Sequence, residues 1–141
     1  MRVKRRHAAV GFGAFLVALA WGAWLAWANW AGDRSEMYAR FDQVQIGSSL
    51  SEAEARIGLP HGPIEYDHTN RPELVAGDDA YSLPGSYTNY YPGRRYILVV
   101  QYVWFRDVGT GEAHEVVTGK GLLRTSRSTQ WLERLAEGYW D

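Results

Sequence analysis

Residues 41–60, FDQVQIGSSLSEAEARIGLP, carry the reading on which the fold depends. Ser49 and Glu52 stand three apart, the spacing of a capping box. The serine oxygen can accept from the amide of Glu52, and the glutamate can reach back to the amide of Ser49. Leu50, Ala53 and Ile57 then share one helical face. Gly58 follows Ile57 where a left-handed residue is wanted, and Pro60 forbids continuation. The spacing therefore predicts a short helix from about Leu50 to Ile57. A helix this short needs packing to be stable. None of these side chains forms a catalytic pattern.

Upstream, Met37, Phe41 and Val44 recur at i, i+4 and i+7, with Tyr38 beside them. This predicts a separate short helix over about Ser35–Asp42. Before it lies a different composition. From Ala8 to Ala31 there is no charged side chain. A helix of that length spans about 36 Å, enough to cross a hydrocarbon core of ~30 Å. Arg2, Lys4, Arg5 and Arg6 precede it. Under the positive-inside rule this end stays in the cytoplasm and the rest is exported. Trp27 and Trp30 would mark the outer interface, where indole rings are favoured. Two readings of the segment compete, with a buried helix of a soluble protein as the bland alternative. One is an uncleaved signal anchor, a single-pass membrane helix. The other is a signal peptide with Ala26-Trp27-Ala28 as its cleavage site, which would release a soluble secreted domain acting as a binding module or inhibitor. The division that follows is residues 1–32 as basic segment and transmembrane anchor, and 33–141 as the exported domain.

That domain is acidic. From Asp33 onward eleven basic residues face sixteen acidic ones, a net charge of −5. Such a surface repels phosphate backbones and argues against nucleic acid as a partner. The chain has no Cys. It can build no disulfide framework, no thiolate nucleophile and no lipid-bearing cysteine.

The pattern F-x-x-[IV]-x-x-G-x-[ST]-x-x-E-x-x-x-x-[IL]-G-x-P over Phe41–Pro60 resembles the signature of the SmpA/OmlA family, the BamE-like envelope proteins. Phe41, Gly47, Ser49, Glu52, Ile57, Gly58 and Pro60 fall on its positions. Ser48, Ala53 and Arg56 stand where that family usually has apolar residues. The resemblance implies two helices followed by strands, no enzymatic activity, and an envelope protein as partner. BamE-like proteins take part in outer-membrane assembly and are anchored through a lipidated cysteine that this chain lacks. The resemblance therefore implies the fold and leaves the partner open.

Residues 59–95 hold all five prolines and many Gly, Asp and Asn. A strand is expected within Tyr81–Tyr91, where Tyr87, Asn89 and Tyr91 alternate against Thr88 and Tyr90. Tyr96–Phe105, YILVVQYVWF, is the strongest strand signal in the chain. Apolar on both faces, it should be a central strand with both faces covered. Asp107–Gly111 reads as a hairpin loop and Ala113–Thr118 as the returning strand. Gly119 and Gly121 would end or bulge it, and Leu122-Leu123 would continue it. Ser128–Trp140 closes the chain as an amphipathic helix capped by Ser128, with Trp131, Leu132, Leu135 and Tyr139 on its apolar side. The fold class is α+β: two short helices, a small antiparallel sheet of about three strands and a C-terminal amphipathic helix, behind an N-terminal transmembrane helix.

Candidate chemistry is sparse. His61, Asp67, His68, His114 and Glu115 are the only residues from which a metal site could be assembled, and no pair has the i, i+4 spacing of H-E-x-x-H. There is no G-x-S-x-G elbow and no phosphate-binding P-loop. Asp78 and Asp79 suit a turn. No catalytic, cofactor or metal residue is assigned, no small-molecule substrate is indicated, and a small hydrolase or metal-dependent enzyme is the remotest alternative. The Tyr-rich stretch Tyr87–Tyr96, with Tyr90, Tyr91, Arg94 and Arg95 foremost, is the best candidate for binding a partner, because Tyr and Arg are favoured at interfaces, and an exposed strand edge there could also accept a partner strand. Filling the core of a small sheet is the competing role for the tyrosines.

Overall fold

The structure is a computed structural model and describes residues 2–63, 72–77 and 86–125. The chain divides into two compact units, Met1–Asp33 and Arg34–Asp141. The first unit is the leading part of α1 (Arg2–Gln43), which is helical throughout. An 18-residue window of this helix is apolar enough to cross a membrane, and none of that window is buried. Val10, Phe12, Phe15 and Leu16 are all exposed.

The expected separate helix over Ser35–Asp42 is instead the end of α1. The apolar composition stops at Asp33, but nothing there stops a helix. No proline occurs before Pro60, and the lone Gly32 costs only about 1 kcal/mol relative to alanine. Glu36 and Arg40, one turn apart, add a 2.7 Å ion pair on this stretch.

The second unit begins with the last turns of α1. It continues with α2 (Leu50–Ile57), β1 (Glu73–Gly77), β2 (Tyr87–Pro92), β3 (Tyr96–Arg106) and β4 (Ala113–Arg124). The serine half of the capping box expected for α2 is present, while among the described residues the Glu52 carboxylate does not return a bond to the Ser49 amide. Ser49 Oγ accepts from the Glu52 amide at 3.2 Å, and Gly58 takes a left-handed φ of 63°. Arg40 adds a second closure by donating to the Ile57 carbonyl. Two backbone bonds with Val117, from the Gly47 amide and to the Ser48 carbonyl, fasten the start of α2 to β4.

The sheet is antiparallel in the order β1-β4-β3-β2, so β3 is an inner strand. Four strands stand where about three were expected. The additional one, β1, pairs with Gly121–Arg124 and is further held by Arg124 on Glu73. Its five residues show no alternating burial and carry a register shift, so no strand periodicity marks it. β4 runs unbroken through Gly119 and Gly121. Gln101 pairs with Gly119 and Tyr102 with Val117, which leaves Thr118 as the extra residue of a bulge. A Cβ on Gly119 would lie 2.6 Å from Gln101 Oε1, so a larger residue here would require the end of the Gln101 side chain to move. The β3–β4 loop closes as Asp107 Oδ1 accepts from the Gly109 amide at 2.7 Å and Gly111 donates back to the Asp107 carbonyl at 2.8 Å.

The core lies between the helices and one sheet face. Met37, Val44, Leu50, Ala53 and Ile57 pack with Tyr91, Tyr96, Leu98, Val100, Val117 and Leu122. On the opposite face Ile97, Val99 and Leu123 are buried, with Tyr90 against them. The first half of β3 is thus covered on both sides, as its composition requires. The second half differs, because Trp104, Phe105 and Arg106 are exposed. β2 pairs with β3 only as far as Tyr102, and β1 reaches only Gly121–Arg124, so neither flanks this end. The C-terminal helix expected over Ser128–Trp140 lies outside the described residues.

Candidate functional site

The four residues singled out for partner binding do not share one surface. Adjacent strand residues point to opposite faces, and this separates Tyr90 from Tyr91. Tyr91 is fully buried in the helix-side core, and Tyr90 packs against the other cluster. Arg94 is exposed in the link between β2 and β3. Arg95 is half-buried, and its carbonyl accepts from the Thr125 amide and hydroxyl, each at 3.0 Å.

Tyr91 instead anchors a polar cluster. Its hydroxyl donates to Glu54 Oε1 at 2.9 Å, with Asn89 Nδ2 at 3.5 Å from both. His61 approaches the same carboxylate oxygen at 3.5 Å, its ring edge-on to Tyr91 at 6.2 Å. A backbone bond from Gly62 to the Tyr90 carbonyl positions this loop. Burial, and then Glu54 as acceptor and neighbouring charge, push the Tyr91 phenol far up, although Asn89 works the other way. A phenol held protonated is neither a general base nor a nucleophile at neutral pH. The cluster ties α2 to β2. Sequence spacing offered no signal for Glu54, since its partner lies 37 residues away.

The tie has an alkaline signature. Below pH about 10 both the folded and unfolded chains keep this proton, and the contribution of the bond is complete. Above that, the unfolded phenol ionises first. The contribution is then lost as the pH rises toward the folded pKa. Tyr91→Phe is expected to lose about 1 kcal/mol at pH 7 and to show a shallower decline above pH 10 than the parent chain. Urea unfolding of both chains across that range measures it. Parallel pH profiles would contradict the assignment.

Among the described residues no three His, Asp or Glu side chains group as metal ligands. His114 lies 3.9 Å from Glu112. Asp67, His68, Asp78 and Asp79 are outside the described residues.

A surface that sequence reading reached only at Tyr87 lies at the far end of the helix-side sheet face. Tyr87 and Tyr102 are cross-strand partners with rings stacked at 5.6 Å. Trp104 is the next residue of β3 on that face, and Glu115 is its partner on β4. Tyr87 and Trp104 are 54% and 55% exposed. Burial first, then the carboxylates of Glu115 and Glu54, push the Tyr102 phenol up. The feature is therefore an aromatic row, exposed at Tyr87 and Trp104 and half-buried at Tyr102, with acidic neighbours. Large exposed rings of this kind mark interaction surfaces more often than a scattered exposed Leu does.

In the first unit, Arg2, Lys4, Arg5 and Arg6 occupy the opening turns of α1. Trp27 and Trp30 are in ring contact at 5.2 Å, with Trp27 exposed and Trp30 buried. A second pair, Trp21 and Trp24, is in tilted ring contact at 5.3 Å. No family model, curated protein or solved structure matches the chain.

Proposed function

We propose that this chain is a non-enzymatic, membrane-anchored envelope protein. Its acidic α+β domain is held on the exported side, where it binds or scaffolds other envelope components. The observation that carries this reading is the leading part of α1, an apolar helix none of whose 18-residue window is buried. Apolar surface of that extent needs a bilayer around it. The basic residues at its start favour a cytoplasmic N-terminus. The resemblance of Phe41–Pro60 to BamE-like proteins supports a binding role over a catalytic one. Anchoring by a peptide helix takes the place of the lipid those proteins carry.

The chain has no cysteine, so Val108→Cys at the 99% exposed hairpin tip provides a unique label. A membrane-impermeant maleimide should modify Cys at position 108 in intact cells from which any outer permeability barrier has been removed. Val3→Cys should react only after lysis. A benzophenone maleimide at the same tip should trap a discrete exported neighbour. Protection of the tip until lysis would place the domain in the cytoplasm and end this reading.

A further inference from the structure

We infer that the row formed by Tyr87, Tyr102 and Trp104, flanked by Glu115 and Glu54, docks an arginine-bearing segment of a protein partner. The inference rests on the binding role proposed above and specifies its chemistry. Directly opposed residues of an antiparallel pair share a face, which puts Glu115 beside Trp104 and Tyr87 beside Tyr102. The exposed rings present π faces and edges, and planar guanidinium groups stack on such surfaces. Glu115 is half-buried and makes no ion pair or side-chain hydrogen bond with the described residues, so its carboxylate has acceptor capacity for a guanidinium. Glu54 adds negative charge on the α2 side while it holds Tyr91.

Charge complementarity selects the occupant. A domain of net charge −5 attracts a basic segment over long range. Arg106, next along β3 on the same face and opposite Ala113, bounds the acidic region. The docked segment would therefore carry its cations over Trp104 and Glu115 and none beyond. An anionic lipid surface fits poorly, because Asp107, Glu112 and Glu115 all stand at this end of the hairpin.

The test uses the full chain in neutral-detergent micelles and a fluorescent, capped peptide of four Arg-Ser repeats, read by anisotropy. The arginine peptide should bind, its lysine counterpart about tenfold more weakly, and a glutamate counterpart not at all. Trp104→Ala and Glu115→Gln should each weaken binding about five- to tenfold. Trp104→Phe, which keeps a ring, should fall between. Asp42→Asn, the same charge change at an exposed position on α1, should leave binding unaltered. Equal losses from Asp42→Asn and Glu115→Gln would reduce the effect to net charge and overturn the site. So would parent-like binding by Trp104→Ala, or displacement of the peptide by tetramethylammonium, which would make this a quaternary-ammonium site. None of these outcomes depends on membrane topology, so a failure here leaves the tip-labelling result standing on its own.

Discussion

Leu98→Ala is expected to lower the unfolding free energy by about 2–5 kcal/mol. Leu98 is fully buried in the helix-side core. It is flanked by Tyr91 on β2 and Leu122 on β4, both also fully buried. An inner strand with partners on both sides cannot shift to fill the space, so the lost transfer energy and the cavity add. Single domains are stable by only about 5–15 kcal/mol, and the loss is a large share of that. Val108→Ala, at the exposed loop, should change stability by less than ~0.5 kcal/mol. Urea midpoints at unchanged m separate the two variants. A Leu98→Ala loss below ~1 kcal/mol would mean that the face is not packed as described.

The second large effect concerns the helix ahead of the domain. Leu16 and Val17 are exposed near the middle of its apolar run. Each arginine placed at the centre of a membrane helix costs about 2.5–3.5 kcal/mol for insertion. Leu16→Arg with Val17→Arg together should cost about 5–7 kcal/mol and move the chain out of the membrane fraction. Leu16→Ile with Val17→Leu keeps the apolar surface and should leave the distribution unchanged. Equal membrane recovery of both double variants would remove the case for insertion by this helix.

Local signals were the legible ones. Ser49, Glu52 and Gly58 specify α2 because capping is decided within a single turn. Tyr96–Val100 announces an inner strand because an unbroken apolar run favours cover on both faces. Tertiary placement was not legible. Tyr102–Phe105 is as apolar in composition as the residues before it, yet Trp104 and Phe105 are exposed. The neighbouring strands end first, and nothing within β3 records that. That Tyr90 and Tyr91 take opposite faces was legible from their alternation, but which of them meets the helices follows from sheet register. β1 depends on its partner strand rather than on its own pattern. α1 runs on past Asp33 because a change in composition is not a helix stop. For the interaction surface, the Tyr87–Tyr102 pair lies across 15 positions of chain, and only strand pairing brings it together.

The proposed role depends on one physical requirement, that the exposed apolar stretch of α1 is covered by lipid. Washing membranes from cells that make the unaltered chain with alkaline carbonate, followed by sedimentation, puts this to the test most directly. Full-length protein should stay in the pellet and leave it only when detergent is added. Full-length protein in the carbonate supernatant would contradict the account.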